Sequence, residues 1–147
     1  MRYGDIDVPD ELLDAQAAGR LAVFAGSGVS KSPPSNLPDF DELVSTIEAG
    51  APLKRRTYGG DVPEEPDVYL GRVDDAGFPV HNQVATTFAS ASAHNAVHSA
   101  IVDLFKTQTS LKVVTTNYDK LLSIAAKHRW PDGMDETAAP ALPLAGC

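Results

Sequence analysis

The sequence has little cysteine, few basic side chains and no long apolar run, and each shortage excludes a class of protein. Cys147 is the only cysteine, which excludes a disulfide framework and a Cys-x-x-Cys metal site within these 147 residues. Twelve Lys and Arg against 20 Asp and Glu argue against a nucleic-acid-binding face, which needs clustered basic charge. No apolar run approaches the ~18 residues of a membrane span, and the N-terminus lacks the basic start of a signal peptide. We therefore expect a cytoplasmic chain without nucleic acid or membrane among its partners.

Short apolar runs alternate with helical patterns, which predicts an α/β fold with a parallel sheet in one domain, residues 1–130. Residues 21–25 carry no charge and predict a short buried strand, and residues 111–115 predict a second strand parallel to it. Asp39 and Glu42 have the spacing of a capping box at a helix start. The predicted helices are 9–18, one from the Asp39 cap to residues 49–52, 67–73, 80–90, 95–105 and one beginning at Asn117 or Asp119.

Two segments have the period of neither a helix nor a strand. Residues 51–66 are rich in Gly, Pro and charge and predict an exposed loop, and residues 131–147 predict an irregular tail. Segments of this composition bury too little apolar surface to offset the entropy lost on ordering. We expect them to be the least ordered parts of the chain.

The strand at 21–25 runs directly into residues 26–30, Gly-Ser-Gly-Val-Ser. Gly26 and Gly28 have no Cβ, so the backbone can approach a pyrophosphate closely at this turn. Gly-x-Gly alone is a weak signal, because Lys31 stands where the full dinucleotide-binding fingerprint has a third glycine. A tight strand-to-helix turn without a ligand has the same composition, so both interpretations stay open at this point.

Three more short motifs follow in order, and the four together resemble the sirtuin family. Residues 26–30 are similar to the sirtuin Gly-Ala-Gly-x-Ser turn, and residues 38–40 (Pro-Asp-Phe) to its Pro-Asp-Phe element. Residues 94–98 (His-Asn-Ala-Val-His) are similar to Pro-Asn-x-x-His, and residues 115–119 (Thr-Thr-Asn-Tyr-Asp) to Thr-Gln-Asn-x-Asp. The last form is typical of the bacterial sirtuin-like branch, which consists largely of NAD-consuming effector domains of antiphage defence.

The resemblance implies a partial sirtuin-like domain with a Rossmann-like three-layer fold and NAD, as substrate, at the carboxyl ends of the strands. It implies that the glycine turn lines the pyrophosphate, that Phe40 lies beside the nicotinamide, and that Asn117 and Asp119 contact the ribose and the nicotinamide pocket. Asn117 is the implied catalytic residue. The implied NAD-binding residues are Gly26, Ser27, Gly28, Ser30, Phe40, Asn117 and Asp119.

These residue types suit the cleavage of NAD to nicotinamide and ADP-ribose. The reaction builds positive charge on the ribose, which a preorganised polar cleft stabilises, and Asn117 can orient a hydroxyl or a water without becoming charged. The family's general-base histidine lies in a downstream Leu-His-Gly element, and residues 144–146 (Leu-Ala-Gly) have that outline with alanine at the histidine position. We therefore expect hydrolysis by the complete protein and, at most, NAD binding by residues 1–147.

Other functions stay open on the sequence alone. A degenerate or truncated domain would act as a nucleotide- or protein-binding module, and an NAD-dependent deacylase is a second alternative. Sirtuin deacylases usually carry a four-cysteine zinc module, which this sequence lacks. The partner besides NAD is equally open, being either a second copy of the chain or another protein of a defence system.

His94 and His98 and the end of the second strand each have two interpretations. The histidines are four apart, as on one face of a zinc-binding helix, but no His-Glu-x-x-His pattern or cysteine accompanies them. We expect no metal, with His98 hydrogen-bonded behind the cofactor cleft and His94 at the helix start. Asn117 is either a site residue or simply a helix cap.

Overall fold

The computed structural model describes residues 2–89, 91 and 93–132, which form a mixed α/β fold. Most of the predicted irregular tail, residues 133–147, lies outside the described residues, and so does the Leu-Ala-Gly element. In chain order the strands are β1 (Arg2–Tyr3), β2 (Ile6–Asp7), β3 (Val23–Ala25), β4 (Thr57–Tyr58), β5 (Val62–Pro63) and β6 (Val113–Thr115). The helices are α1 (Asp10–Ala17), α2 (Phe40–Gly50), α3 (Pro66–Asp75), α4 (Val80–Ala89), α5 (Ala96–Asp103) and α6 (Leu121–Arg129).

The predicted parallel pairing of the two apolar runs is confirmed. β3 pairs in parallel with β6, with Phe24 opposite Val114 and Ala25 opposite Thr115. Each strand begins two residues later than predicted. Because the strands run in the same direction, the segments that follow them leave from the same edge of the pair. The glycine turn, a 3-10 turn over Ser27–Ser30, is therefore next to the segment between β6 and α6.

The expectation that the first strand is buried is wrong for most of its length. Ala25 is buried, but Phe24 is 81% exposed, and its partner Val114 on β6 is 50% exposed. In the described part of the chain the parallel pair has two strands, and one face of it is open to solvent. The uncharged composition predicts a strand correctly, but it does not reveal which face other elements cover.

The predicted capping box at the start of α2 is confirmed and orients the larger core. Asp39 accepts a hydrogen bond from the Glu42 backbone N–H at 3.0 Å, and Glu42 accepts one from the Asp39 N–H at 2.9 Å. The helix then presents one apolar face to α3 and α4. The buried members of this core are Leu43, Val44, Ile47, Ala51, Tyr69, Val73 and Val80.

A smaller, separate core joins α5 to α6. Val102 packs against Ala125 and Ala126, with Leu111 and Trp130 at its margin. α6 begins at Leu121, whereas the sequence predicts a start at Asn117 or Asp119. In the described residues no helix is both long and apolar enough to span a bilayer.

The segment predicted as an exposed loop, residues 51–66, contains the antiparallel hairpin of β4 and β5. Its strands are exposed, but Glu64 directly after it is 1% exposed. Arg72 of α3 donates to both carboxylate oxygens of Glu64, at 2.7 and 3.1 Å, and the Arg56 backbone N–H donates at 3.1 Å. The predicted loop is thus held to α3 by a buried ion pair.

Candidate functional site

A pocket of about 270 Å³ opens at the edge where β3 and β6 end. Ser27 of the glycine turn lines it, together with residues 38–40 and residues 116–119. Leu43 and Phe88 complete the lining. Three of the four sequence motifs therefore meet around one cavity, although they are far apart in the chain.

The predicted site residues divide into those that line this pocket and those that lie beside or behind it. Ser27, Phe40, Asn117 and Asp119 line the pocket. The other three, Gly26, Gly28 and Ser30, belong to the turn beside it. Gly26 and Ser30 each contact a lining residue, through hydrogen bonds to Asn117 and Asp119 respectively.

Asn117 joins the two segments that leave the parallel strands. Its Nδ2 donates to the Gly26 carbonyl at 3.2 Å, while its backbone N–H donates to Thr115 Oγ1 at 3.1 Å. Its Oδ1 is buried and has no hydrogen-bond partner among the described residues. A buried amide oxygen without a partner is costly, so this atom is suited to accept a hydrogen bond from a ligand.

The alternative that Asn117 caps the following helix is wrong. The N-cap position of α6 is Lys120, and the side chain that accepts from its first turn is Asp119, whose Oδ1 receives the Leu121 N–H at 2.9 Å. Asn117 lies before this turn, beside the pocket. Its side chain is therefore free of a role in starting α6.

Ser30 is the buried link between the third motif, residues 94–98, and the pocket. Its hydroxyl donates to Asp119 Oδ2 at 2.9 Å, and its Oγ lies 3.1 Å from His98 Nε2. The Ser30 hydroxyl has a single proton, which it donates in the hydrogen bond to Asp119. The hydrogen bond between Ser30 and His98 must therefore be donated by the N–H at His98 Nε2 and accepted by Ser30 Oγ. His98 Nδ1 then accepts the Asn95 backbone N–H at 3.1 Å. Asn95 Oδ1 also lies 2.8 Å from His98 Nδ1, but this oxygen already accepts two backbone N–H groups of α5. The hydrogen bond that Ser30 donates to Asp119 therefore determines the tautomer of His98, with the proton on Nε2.

His98 supports the pocket from behind, as the sequence predicts. The side chain is fully buried, and both ring nitrogens are used within the protein. Burial lowers the pKa of His98, the charge of Asp119 raises it in part, and His94 lowers it further. The arrangement differs from a catalytic triad, because the carboxylate of Asp119 contacts the serine and not the histidine.

Asn95 is the structural residue that sequence reasoning missed. Its Oδ1 caps α5, and its Nδ2 donates to the carbonyls of Val29 and Ser32, at 2.8 and 3.0 Å. One side chain thus fixes both the start of α5 and the far end of the glycine turn. The signal was available, since asparagine three residues before histidine in the third motif has the spacing of a capping box.

Aromatic rings and carboxylates give the pocket its chemical character. Phe88 and Tyr118, both outside the predicted set, lie with ring centroids 6.0 Å apart, and Phe40 adds a third ring. Lys31 binds Asp39 at 2.6 Å and is the main cause of the lowered pKa of that carboxyl. Asp119 has one hydrogen-bond donor on each oxygen and no cationic partner among the described residues. A planar, positively charged ring suits such a pocket.

Neither glycine of the turn is required by the protein's own conformation. Gly26 is extended, with φ −99°, and Gly28 also lies outside the left-handed region. A Cβ built on either one would meet no described atom within 4 Å. Backbone geometry and packing would both accept alanine here, so the open space on this turn is available to a ligand.

The zinc interpretation of His94 and His98 finds no support, because the hydrogen bonds of His98 occupy both of its nitrogens. Among the residues that the structure describes, no group of three or more His, Cys, Asp and Glu side chains is placed to hold a metal ion.

No protein-family model, no curated protein and no solved structure matches this chain.

Proposed function

We propose that the pocket binds the nicotinamide end of NAD and that the complete protein hydrolyses NAD to nicotinamide and ADP-ribose. In this proposal the chain is part of a Rossmann-like, sirtuin-like domain that acts as an antiphage-defence effector. One observation carries it: three of the four sequence motifs that resemble the sirtuin family converge on one pocket at the carboxyl edge of a parallel strand pair. This is the edge at which open α/β sheets bind their ligands.

The character of the pocket favours a nicotinamide ring over a neutral base. Oxidised nicotinamide is a cationic pyridinium, which aromatic faces and a carboxylate such as Asp119 attract. The volume of about 270 Å³ is just below the roughly 300–1,000 Å³ found for small-molecule sites. It suits the ring and its ribose, with the pyrophosphate along Gly26 and Gly28, where the absent Cβ atoms leave room.

The proposed reaction breaks the bond between the ribose C1′ and the ring nitrogen. The electron pair leaves with neutral nicotinamide, a water oxygen bonds to C1′, and a general base takes the proton of the water. Asp119 opposes the positive charge that develops on the sugar, and Asn117 Oδ1 accepts a hydrogen bond from a ribose hydroxyl or the water. No histidine lines the pocket within the described residues, so we expect binding without robust turnover from residues 1–147.

Calorimetric titration of NAD into the chain tests binding, and an assay for free nicotinamide tests turnover. We expect binding by the wild type and much weaker binding by Asn117→Ala, while Asn82→Ala on the exposed surface of α4 serves as the matched control. In the complete protein Asn117→Ala should lower turnover by about 10²-fold or more.

Each alternative gives a different result in this experiment. Nicotinamide release that requires an acylated peptide would identify a deacylase. Absence of binding at millimolar NAD would overturn the proposal in favour of a degenerate module. Robust hydrolysis by residues 1–147 alone would show that a base is present within them.

A further inference from the structure

A second cleft, of about 230 Å³, lies between α5 and α6 and is separate in its lining from the NAD pocket. His94, two residues before α5, and His128, in the last turn of α6, contribute their rings to it. Ser99, Asp103 and Arg129 supply its other polar groups. His94 is also the first residue of the third motif, but the proposed NAD chemistry does not use this cleft.

The two imidazoles contact each other. Their ring centroids are 4.8 Å apart, with an angle of 71° between the planes. In the described part of the chain no hydrogen bond fixes either ring, in contrast to His98. No described hydrogen bond therefore uses the nitrogen lone pair of either ring.

We propose that this cleft binds one divalent transition-metal ion of the zinc class through one nitrogen each of His94 and His128, with water in the remaining positions. Metal–nitrogen bonds are about 2.0–2.1 Å, and the ring centre is roughly 1.1 Å beyond the nitrogen, so two imidazoles on one ion have centres about 4.5–5.2 Å apart for bond angles of about 90–110°. The observed separation of 4.8 Å lies within this interval.

The surroundings favour a cation over an anion. His128 is in the last turn of α6, where the helix carbonyls carry partial negative charge. The guanidinium of Arg129 is directed to Asp103, at 3.6 Å, and lies over the Trp130 ring at 5.5 Å, so its charge is already engaged. Imidazole nitrogen selects zinc, copper or nickel over magnesium and calcium.

Two protein ligands are fewer than the three or four of catalytic and structural zinc sites, which fixes the expected behaviour. We therefore expect binding to be reversible and weaker than at sites with three or four protein ligands. It does not depend on NAD, so it can fail or succeed independently of the proposed function.

The experiment is calorimetric titration of ZnCl₂ into the full chain carrying Cys147→Ser, so that the thiol cannot compete for the ion. We expect one ion per chain. His94→Gln and His128→Gln should each weaken binding at least about tenfold, since even second-layer substitutions cost that much. His81→Gln, an exposed histidine of α4, is the matched control and should bind like the parent.

Two results would overturn the site. One is the absence of zinc binding, and the other is unchanged binding in the double variant His94→Gln/His128→Gln, which would mean adventitious binding elsewhere. Should a variant fail to fold by circular dichroism, nitrogen NMR of the imidazoles in the parent chain decides. Zinc must then shift the ring signals of His94 and His128 and leave those of His81 in place.

Discussion

At the scale of single residues, the glycines differ in whether the backbone conformation requires them. Gly26 and Gly28 adopt conformations open to alanine and have empty space where a Cβ would lie. Gly77, after α3, has φ +85°, which disfavours any side chain. The three positions are all glycine in the sequence, so only the backbone angles distinguish a glycine that its turn requires from one that a side chain could replace.

Alanine substitution tests this distinction directly. Gly28→Ala should leave the thermal midpoint within about 2 °C of wild type, because its φ is compatible with a side chain. We expect the same change to weaken NAD binding at least about tenfold, by placing a methyl group where the pyrophosphate approaches. Gly77→Ala, the control, should lower stability by about 1–2 kcal/mol with no effect on binding. Undiminished NAD affinity in Gly28→Ala would favour the purely structural turn.

The buried side chain of His98 makes the stability of the fold depend on pH. Burial keeps its folded-state pKa below the ordinary value of 6.5, so at lower pH the unfolded chain binds the proton more readily than the folded one. The stability that His98 contributes is complete above about pH 6.5 and is lost as the pH falls below it. Asp119 raises the pKa of His98 and His94 lowers it, both by less than burial does.

Melting curves between about pH 8 and pH 5, the range in which histidine titrates, measure this contribution. At the upper end of this pH range, His98→Gln should melt at a lower temperature than wild type. Its melting temperature should also change less with pH. His81→Gln controls for an exposed histidine on α4 and should keep the wild-type slope. An equal slope in His98→Gln and wild type would contradict a neutral, buried His98.

At the scale of elements, the sequence predicts those features whose causes are local. The capping box of α2 lies within four residues, from Asp39 to Glu42, and it is confirmed. The strands at 21–25 and 111–115 are found because each is a short apolar run before a polar turn. The hairpin of β4 and β5 was missed, since two-residue strands have no alternation to detect and Glu64 meets its partner only through the tertiary fold.

The attachment of that hairpin to α3 yields an element-scale prediction. Arg72 is the main cause that lowers the pKa of Glu64 to about 2 from an ordinary 4.5. A carboxyl pKa that is lower in the folded state than in the unfolded state stabilises the fold at pH values above the unfolded-state pKa. This stabilisation is lost as the pH falls from about 4.5 towards 2. Glu64→Gln should therefore lower the melting temperature at neutral pH by about 5 °C or more.

The difference between Glu64→Gln and wild type should shrink on acidification and disappear near the lowered pKa. Glu65→Gln is the matched control, since the next residue is an exposed glutamate and should change little. A Glu64→Gln midpoint equal to wild type at neutral pH would show that the ion pair does not hold the hairpin. Hydrogen exchange in β4 and β5 would locate any loosening in the hairpin itself.

At the scale of the whole molecule, the site lies between two cores. α2 and Leu43 bring the larger core to one wall of the pocket, while Asn95, His98 and Ser30 connect the glycine turn to α5, which belongs to the smaller core. The four motifs can be read in the sequence, but the position of the site between two cores cannot. The contacts that create this arrangement join residues more than 60 positions apart. The exposure of Phe24 and Val114 could not be predicted either, because it depends on which elements cover the strand pair in the tertiary fold.

Unequal packing predicts unequal local stability across the chain. No residue of α1 is buried, whereas α2 contributes Leu43, Val44 and Ile47 to the larger core. Local opening requires less free energy where few apolar contacts are broken, so amides of α1 should exchange with deuterium at least about tenfold faster than those of α2. Hydrogen exchange read by NMR or mass spectrometry measures this for each element. Equal protection of α1 and α2 would contradict the idea that buried apolar contacts set the local stability of these helices, and would give more weight to the hydrogen bond from Gln16 to the Leu104 carbonyl.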